Sequence, residues 1–240
     1  MARPFRLLLT SAAVAIAVSG GAARALACGS NGYSYAGIGA PQRAFGISAS
    51  VAAVSAFPVL NGHVAAWVGV GGPGEGPGGT DEWLEIGLSG FPAVTGSDVY
   101  YEVSEPDGFP VYHQVASNLP AGKASTVGVL EMHGRPNWWR VWLNGRAVSK
   151  PIRLAHSHDR WTPVATAESW DGGNHGACNT FLYHFRHIRV ARAPGGGWHG
   201  LSGGYPIRSS VTRVRRSRGG GAFLAAEGDQ AIRLLRTLKP

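Results

Sequence analysis

The feature that most constrains this chain is the recurrence of short aromatic and β-branched runs cut by Gly, Pro, Asn and Asp. Such runs lie at 63–70, 82–88, 98–103, 110–116, 125–132, 137–143, 146–154, 161–170 and 178–191, and none carries a helical period. Alternate side chains of an extended segment face opposite ways, so this pattern reads as strands. Asn144-Gly145 between two runs is the dipeptide of a tight type I′ hairpin. Even spacing of short strands predicts an all-β fold of two packed antiparallel sheets. With 36 Gly, 15 Pro and 15% charged residues among 240, coiled coils and helical bundles are excluded, while 44% hydrophobic residues suffice for one sizeable core.

The N-terminus departs from this pattern. Arg3 and Arg6 precede an apolar stretch from Leu7 to Val18 and then Ala25-Leu26-Ala27, the order of a secretory signal over 1–27. Cleavage there leaves a chain beginning at Cys28. Ala25 stands where a lipoprotein signal carries Leu, so the product is expected free of the membrane and secreted. No other apolar run is long enough to cross a bilayer. In an oxidising compartment Cys28 and Cys178 are expected to pair, closing a loop worth about 5 kcal/mol on the chain-entropy model.

The formal charge of +8 is unevenly placed. Residues 28–190 hold ten basic and twelve acidic side chains, whereas 191–240 hold nine Lys or Arg against Glu227 and Asp229. The sandwich is therefore expected over 28–192, with a basic extension over 193–240 that can add a last strand pair from 211–226. The run Arg213, Arg215, Arg216, Arg218 reads as a solvated edge strand, and no nucleic-acid partner is expected. Two motif matches fail on context. Gly69, Gly71 and Gly74 satisfy a dinucleotide fingerprint but are followed by Pro73 and Pro77 where a helix must begin. Gly200-Leu201-Ser202-Gly203-Gly204 spells a nucleophile elbow but runs into Tyr205-Pro206.

Parity picks out two carboxylates. In 82–88, Leu84, Ile86 and Leu88 form one apolar face and Trp83, Glu85 and Gly87 the other. In 164–170, Thr166, Glu168 and Trp170 share a face opposite Ala165 and Ala167. Glu85 and Glu168 brought together on one sheet would repel each other, raising the pKa of one and leaving a proton-sharing pair suited to acid/base chemistry. Strand 137–143 also sorts into Trp138, Arg140, Trp142 and Trp139, Val141, Leu143. One of these faces is core, and the other is a potential sugar-stacking set. His156 and His158 share a face if extended but lack a third ligand, and His184 and His187 differ in parity, so neither metal nor cofactor is expected.

The segments Ala66-Trp67-Val68-Gly69-Val70, Trp83-Leu84-Glu85-Ile86-Gly87, Tyr100-Tyr101-Glu102, Asn144-Gly145 and Ala167-Glu168 occur in an order that resembles the eqolisins, glutamic peptidases of the concanavalin A-like β-sandwich type. The resemblance spans roughly 61–192. It implies a two-sheet jelly roll in which one Glu activates water and a Gln donates to the tetrahedral oxyanion. Glu168 falls at the position of the catalytic Glu, and Glu85 occupies that of the Gln. Gly71 replaces an acidic residue of the pattern. Trp67 and Glu102 match cleft-lining positions and join Trp83 and Trp170 as candidates for substrate contact.

Two readings follow. One is a secreted, monomeric, peptidase-like hydrolase acting on polypeptides in acid, with Glu168 as base and Glu85 as proton-sharing partner. The alternative is a carbohydrate- or peptide-binding module that cuts nothing, with Trp83 and Trp170 stacking the ligand. Glycoside hydrolysis by the same pair requires carboxyl oxygens about 5–9 Å apart.

Overall fold

The computed structural model describes Cys28 and residues 32–106, 108–173 and 178–240. The expected signal segment lies outside the described residues. Among them, two antiparallel sheets of seven and nine strands face each other as a jelly-roll sandwich. The first sheet runs, edge to edge, through β14 (Tyr205–Arg208), β1 (Tyr33–Gly39), β11 (Val164–Trp170), β3 (His63–Gly72), β4 (Glu82–Gly90), β5 (Ser97–Ser104) and β6 (Val111–Leu119). The second runs through β10 (Ile152–Arg153), β8 (Trp138–Leu143), β7 (Ser125–Glu131), β2 (Gly46–Ala53), β12 (Phe181–Ala193), β16 (Phe223–Glu227) and β15 (Thr212–Arg216). To this second sheet β13 (Gly196–Gly200) adds against β12, and β9 (Arg146–Ala147) against β8.

Alternation decides what fills the space between the sheets. Leu84, Ile86 and Leu88 of β4 and Val64, Ala66, Val68 and Val70 of β3 point inward, meeting Ile47, Val51, Val129, Val141 and Phe185 from the other sheet. On β8 it is Trp139 and Val141 that face the core, leaving Trp138, Arg140 and Trp142 half-buried on the outer side. Asn144 and Gly145 both take positive φ, 50° and 80°, and Leu143 pairs with Arg146, which is the hairpin expected of that dipeptide.

The run 146–154 does not form one strand. It breaks into β9 and β10 because Pro151 has no N–H to donate and Ser149 Oγ accepts from the Val141 N–H at 3.0 Å. His156 lies in the turn beyond, with φ 60°, and His158 in the same segment turns its ring to Glu131, so the two do not share a strand face.

Residues after 193 enter both sheets. β14 joins the first sheet against β1, and β15 and β16 form a hairpin at the end of the second. The helix α1 (Asp229–Thr237) packs Ala231 and Leu235 outside, on Leu182, Leu224 and Ala226. Arg213, Arg215 and Arg216 of the basic run lie on the edge strand β15 and bind carbonyls: Arg213 donates to Ser210 and Thr212, Arg215 to Leu235, Arg236 and Leu238 at the helix end, and Arg216 to Gly203 and Gly204. Cys28 and Cys178 are disulfide-bonded. Among the described residues no helix is long and apolar enough to cross a membrane.

Candidate active site

The seven-stranded sheet turns a polar, aromatic face away from the core. Its strands β11, β3, β4 and β5 lie side by side, so Glu168 and Glu85, read on the non-core side of their strands, come to one surface with Trp67 and Glu102. Glu85 pairs across the sheet with Glu102, and Trp67 stands between Thr166 on one side and Gly87 on the other. Gly87 is required here: a Cβ on it would lie 2.7 Å from the Cβ of Trp67. Gly69, the neighbour of Glu85 on β3, likewise adds no side chain to the surface. Two small neighbours around large polar residues leave a hollow of about 400 Å³.

Glu85, Glu168, Glu102, Trp67 and Trp83 all line this hollow, together with Tyr33, Tyr35 and Thr166. Both Glu85 and Glu168 are 7% exposed. The Trp67 indole N–H donates to Glu168 Oε2 at 2.9 Å, and His63 Nε2 stands 3.5 Å from Glu168 Oε1. The buried Tyr100 hydroxyl donates to Glu85 Oε1 at 2.6 Å, and the Trp83 indole N–H to Glu102 Oε1 at 3.2 Å. Tyr100 is held in turn by stacking on Tyr112, ring centroids 5.0 Å apart, and the Tyr112 hydroxyl shares a 2.9 Å hydrogen bond with Ser89.

The electrostatics follow from this crowding. Burial, then the charges of Glu168 and Glu102, push the Glu85 carboxyl well above the usual carboxylate range, and the single Tyr100 hydrogen bond opposes them only in part. Glu102 is also raised, chiefly by burial. Tyr33 is pushed up to about 12 by burial and by Glu168, and Tyr35 is raised by the same two causes. The hollow disfavours additional negative charge and holds protons.

Trp170 is not among the hollow's lining residues. It packs at 4.6 Å on Tyr33, behind the wall, opposite His63 on β3. Tyr33, Tyr35, His63 and Tyr100 are members of the site that sequence reasoning did not single out. The parity of 98–103, which places Tyr100 with Glu102, is the signal for one of them. Among the described residues no group of three His, Cys, Asp or Glu side chains is arranged to hold a metal ion.

No protein-family model matches the sequence, and no curated protein matches it significantly. Among solved structures, Scytalido-glutamic peptidase, bound to a peptide-based transition-state analogue, superposes with a TM-score of 0.54 at 18% identity, covering 85% of this chain and 100% of that one. SCP-B, a member of the eqolisin family of peptidases bound to the tripeptide Ala-Ile-His, gives 0.50 at 17% identity with the same coverage. In fold, this chain is similar to the eqolisin peptidases, as the order of its strand motifs implied.

Proposed function

We propose that the chain is an exported, acid-acting peptidase-like hydrolase in which Glu168 is the base and a protonated Glu85 stands in for an amide donor. Glu168, as carboxylate, takes a proton from water as that water attacks the scissile carbonyl carbon. Glu85, as acid, donates a hydrogen bond to the oxygen that becomes negative. Collapse of the intermediate breaks the C–N bond, and the proton on Glu168 passes to the departing amine.

The observation that carries this reading is the pairing of Tyr100 with Glu85. A hydroxyl already donating to Oε1 leaves Oε2 as the oxygen that bears the acid proton, so the neutral Glu85 presents one acceptor inward and one donor outward, as a glutamine would. Fold likeness to two peptidases and the shared hollow support the same assignment. Trp67, Trp83 and Glu102 are then substrate-contact residues, while Trp170 supports Tyr33.

The test is cleavage of denatured protein by the purified chain near pH 4 and near pH 7. Wild type is expected to cut faster in acid and to lose rate as rising pH ionises Glu85, whose charge then repels the oxyanion. Glu168→Gln is expected to lose about a thousandfold in rate. Glu85→Gln keeps the donor without its titration, so its cleavage extends toward neutral pH. Equal cleavage by Glu168→Gln refutes the assignment. The indoles of Trp67 and Trp83 and the rings of Tyr33 and Tyr35 favour a second reading, a groove that stacks a saccharide or peptide without cutting it. Ligand binding without cleavage at either pH would select that reading.

A further inference from the structure

The outer face of the nine-stranded sheet carries a second feature, remote from the hollow and independent of the peptidase reading. One cross-strand row there reads Trp142 on β8, Gly128 on β7, Ser48 on β2 and Arg189 on β12. Gly128 and Ser48 keep the middle of the row low, while Trp142 rises on one side and Arg189 on the other. Trp198 of β13, paired with Ala191, stands on the Arg189 side. The result is a trough of about 360 Å³, its walls three strands or about 14 Å apart.

The chemistry of the trough is one-sided. Trp142, Trp198, Arg189 and Thr126 line it, and no lining residue is acidic. Among the described residues neither Arg189 nor Arg140, which follows Trp138 and precedes Trp142 on the same outer face, has a carboxylate within ion-pair distance. Beneath this face the buried N–H groups of Arg140 Nε and Trp142 Nε1 have no hydrogen-bond partner among the described residues. Indole faces suit the apolar face of a pyranose ring, and an unpaired guanidinium suits a carboxylate, which it binds as a fork. The Cys28–Cys178 disulfide fits an oxidising, extracellular setting, and the indole walls suit sugar rings in a chain of carboxylates.

We propose that this trough binds a polysaccharide chain bearing carboxylates, such as a run of uronic acid residues. Binding here would hold the molecule on an extracellular matrix with the Glu85 and Glu168 hollow on the opposite sheet left free.

The experiment is calorimetric titration of the full chain with oligogalacturonate at about 0.05 M and about 0.15 M salt, with dextran and single-stranded DNA as comparison ligands. Wild type is expected to bind oligogalacturonate more tightly than either. Trp142→Ala is expected to weaken binding about tenfold, and Arg189→Gln about fivefold with a flatter salt dependence. Trp142→Phe, which keeps an aromatic face and the fold, should stay within about threefold of wild type. Arg213→Gln on β15, two strands beyond β12, should change affinity by less than about twofold. The proposal is overturned if wild type does not bind, if dextran or DNA binds as tightly, if Trp142→Ala and Arg189→Gln bind as wild type does, or if Arg213→Gln loses as much as they do.

Discussion

Glu131 and Glu85 are both buried, in opposite sheets, and their surroundings differ in kind. Glu131, at the end of β7, is fully enclosed and saturated with donors: the Asn137 N–H reaches Oε1 at 2.6 Å, and His158 Nδ1 lies 2.9 Å from Oε2 and 3.1 Å from Oε1. Glu85 receives one hydroxyl and faces two further carboxyls. Burial alone does not make a carboxyl reactive. A full set of donors makes it a latch that joins β7 to the loop of His158, whereas a shortage of donors beside like charge makes it a proton holder.

The first way to break this comparison is to exchange the two groups' fates. Glu131→Ala should cost about 3 kcal/mol of stability, since it strands the Asn137 N–H and opens a cavity. Glu85→Gln should cost less than about 1 kcal/mol at pH 4, where a neutral group replaces a neutral group. At pH 7 it should stabilise. The folded state holds the Glu85 carboxyl above its unfolded pKa, so between the two values the fold binds more protons than the open chain and loses stability as pH rises. Glu82, pushed up to about 7 by burial, and Glu227, pushed up to about 6 by the same cause, add to this slope. The wild-type melting temperature is therefore expected to fall between pH 4.5 and pH 7. Thermal melts of the three proteins at both pH values check the whole set, and an identical loss in both variants would erase the distinction.

Tyr100→Phe sharpens the same contrast with a smaller effect. Loss of the hydroxyl removes the one bond that favours the ionised form of Glu85, so the alkaline limb of the cleavage profile should move upward while the rate falls about tenfold. In a Glu85→Gln background the shift should vanish, because nothing remains there to titrate. A limb that moves equally in both backgrounds would assign Tyr100 a merely structural role.

What the sequence discloses and what it hides have physical reasons. Period-two alternation in 82–88 and 164–170 is sharp because one face is aliphatic and the other holds Glu beside Trp, so the side on which Glu85 and Glu168 lie is legible from parity alone. The strands β1 and β2, YSYAGIG and GISASVAA, escape notice because small residues pack between large neighbours and carry little hydrophobic contrast. Tyr33 and Tyr35 were hidden with β1. The role of Tyr100 depends on a distance between adjacent strands, which no single run reveals. Trp170 has the right parity to share the surface but sits at the strand end, where it backs Tyr33 instead of meeting the hollow.

The account rests on Glu85 keeping its proton because Glu168 shares its hollow. Infrared difference spectroscopy follows that proton directly, through the acid C=O stretch lost in Glu85→Gln, without any need for activity. The account predicts a Glu85 midpoint well above the ordinary carboxyl range in wild type, and a lower one in Glu168→Gln. A midpoint in the ordinary range, indifferent to Glu168→Gln, would contradict it.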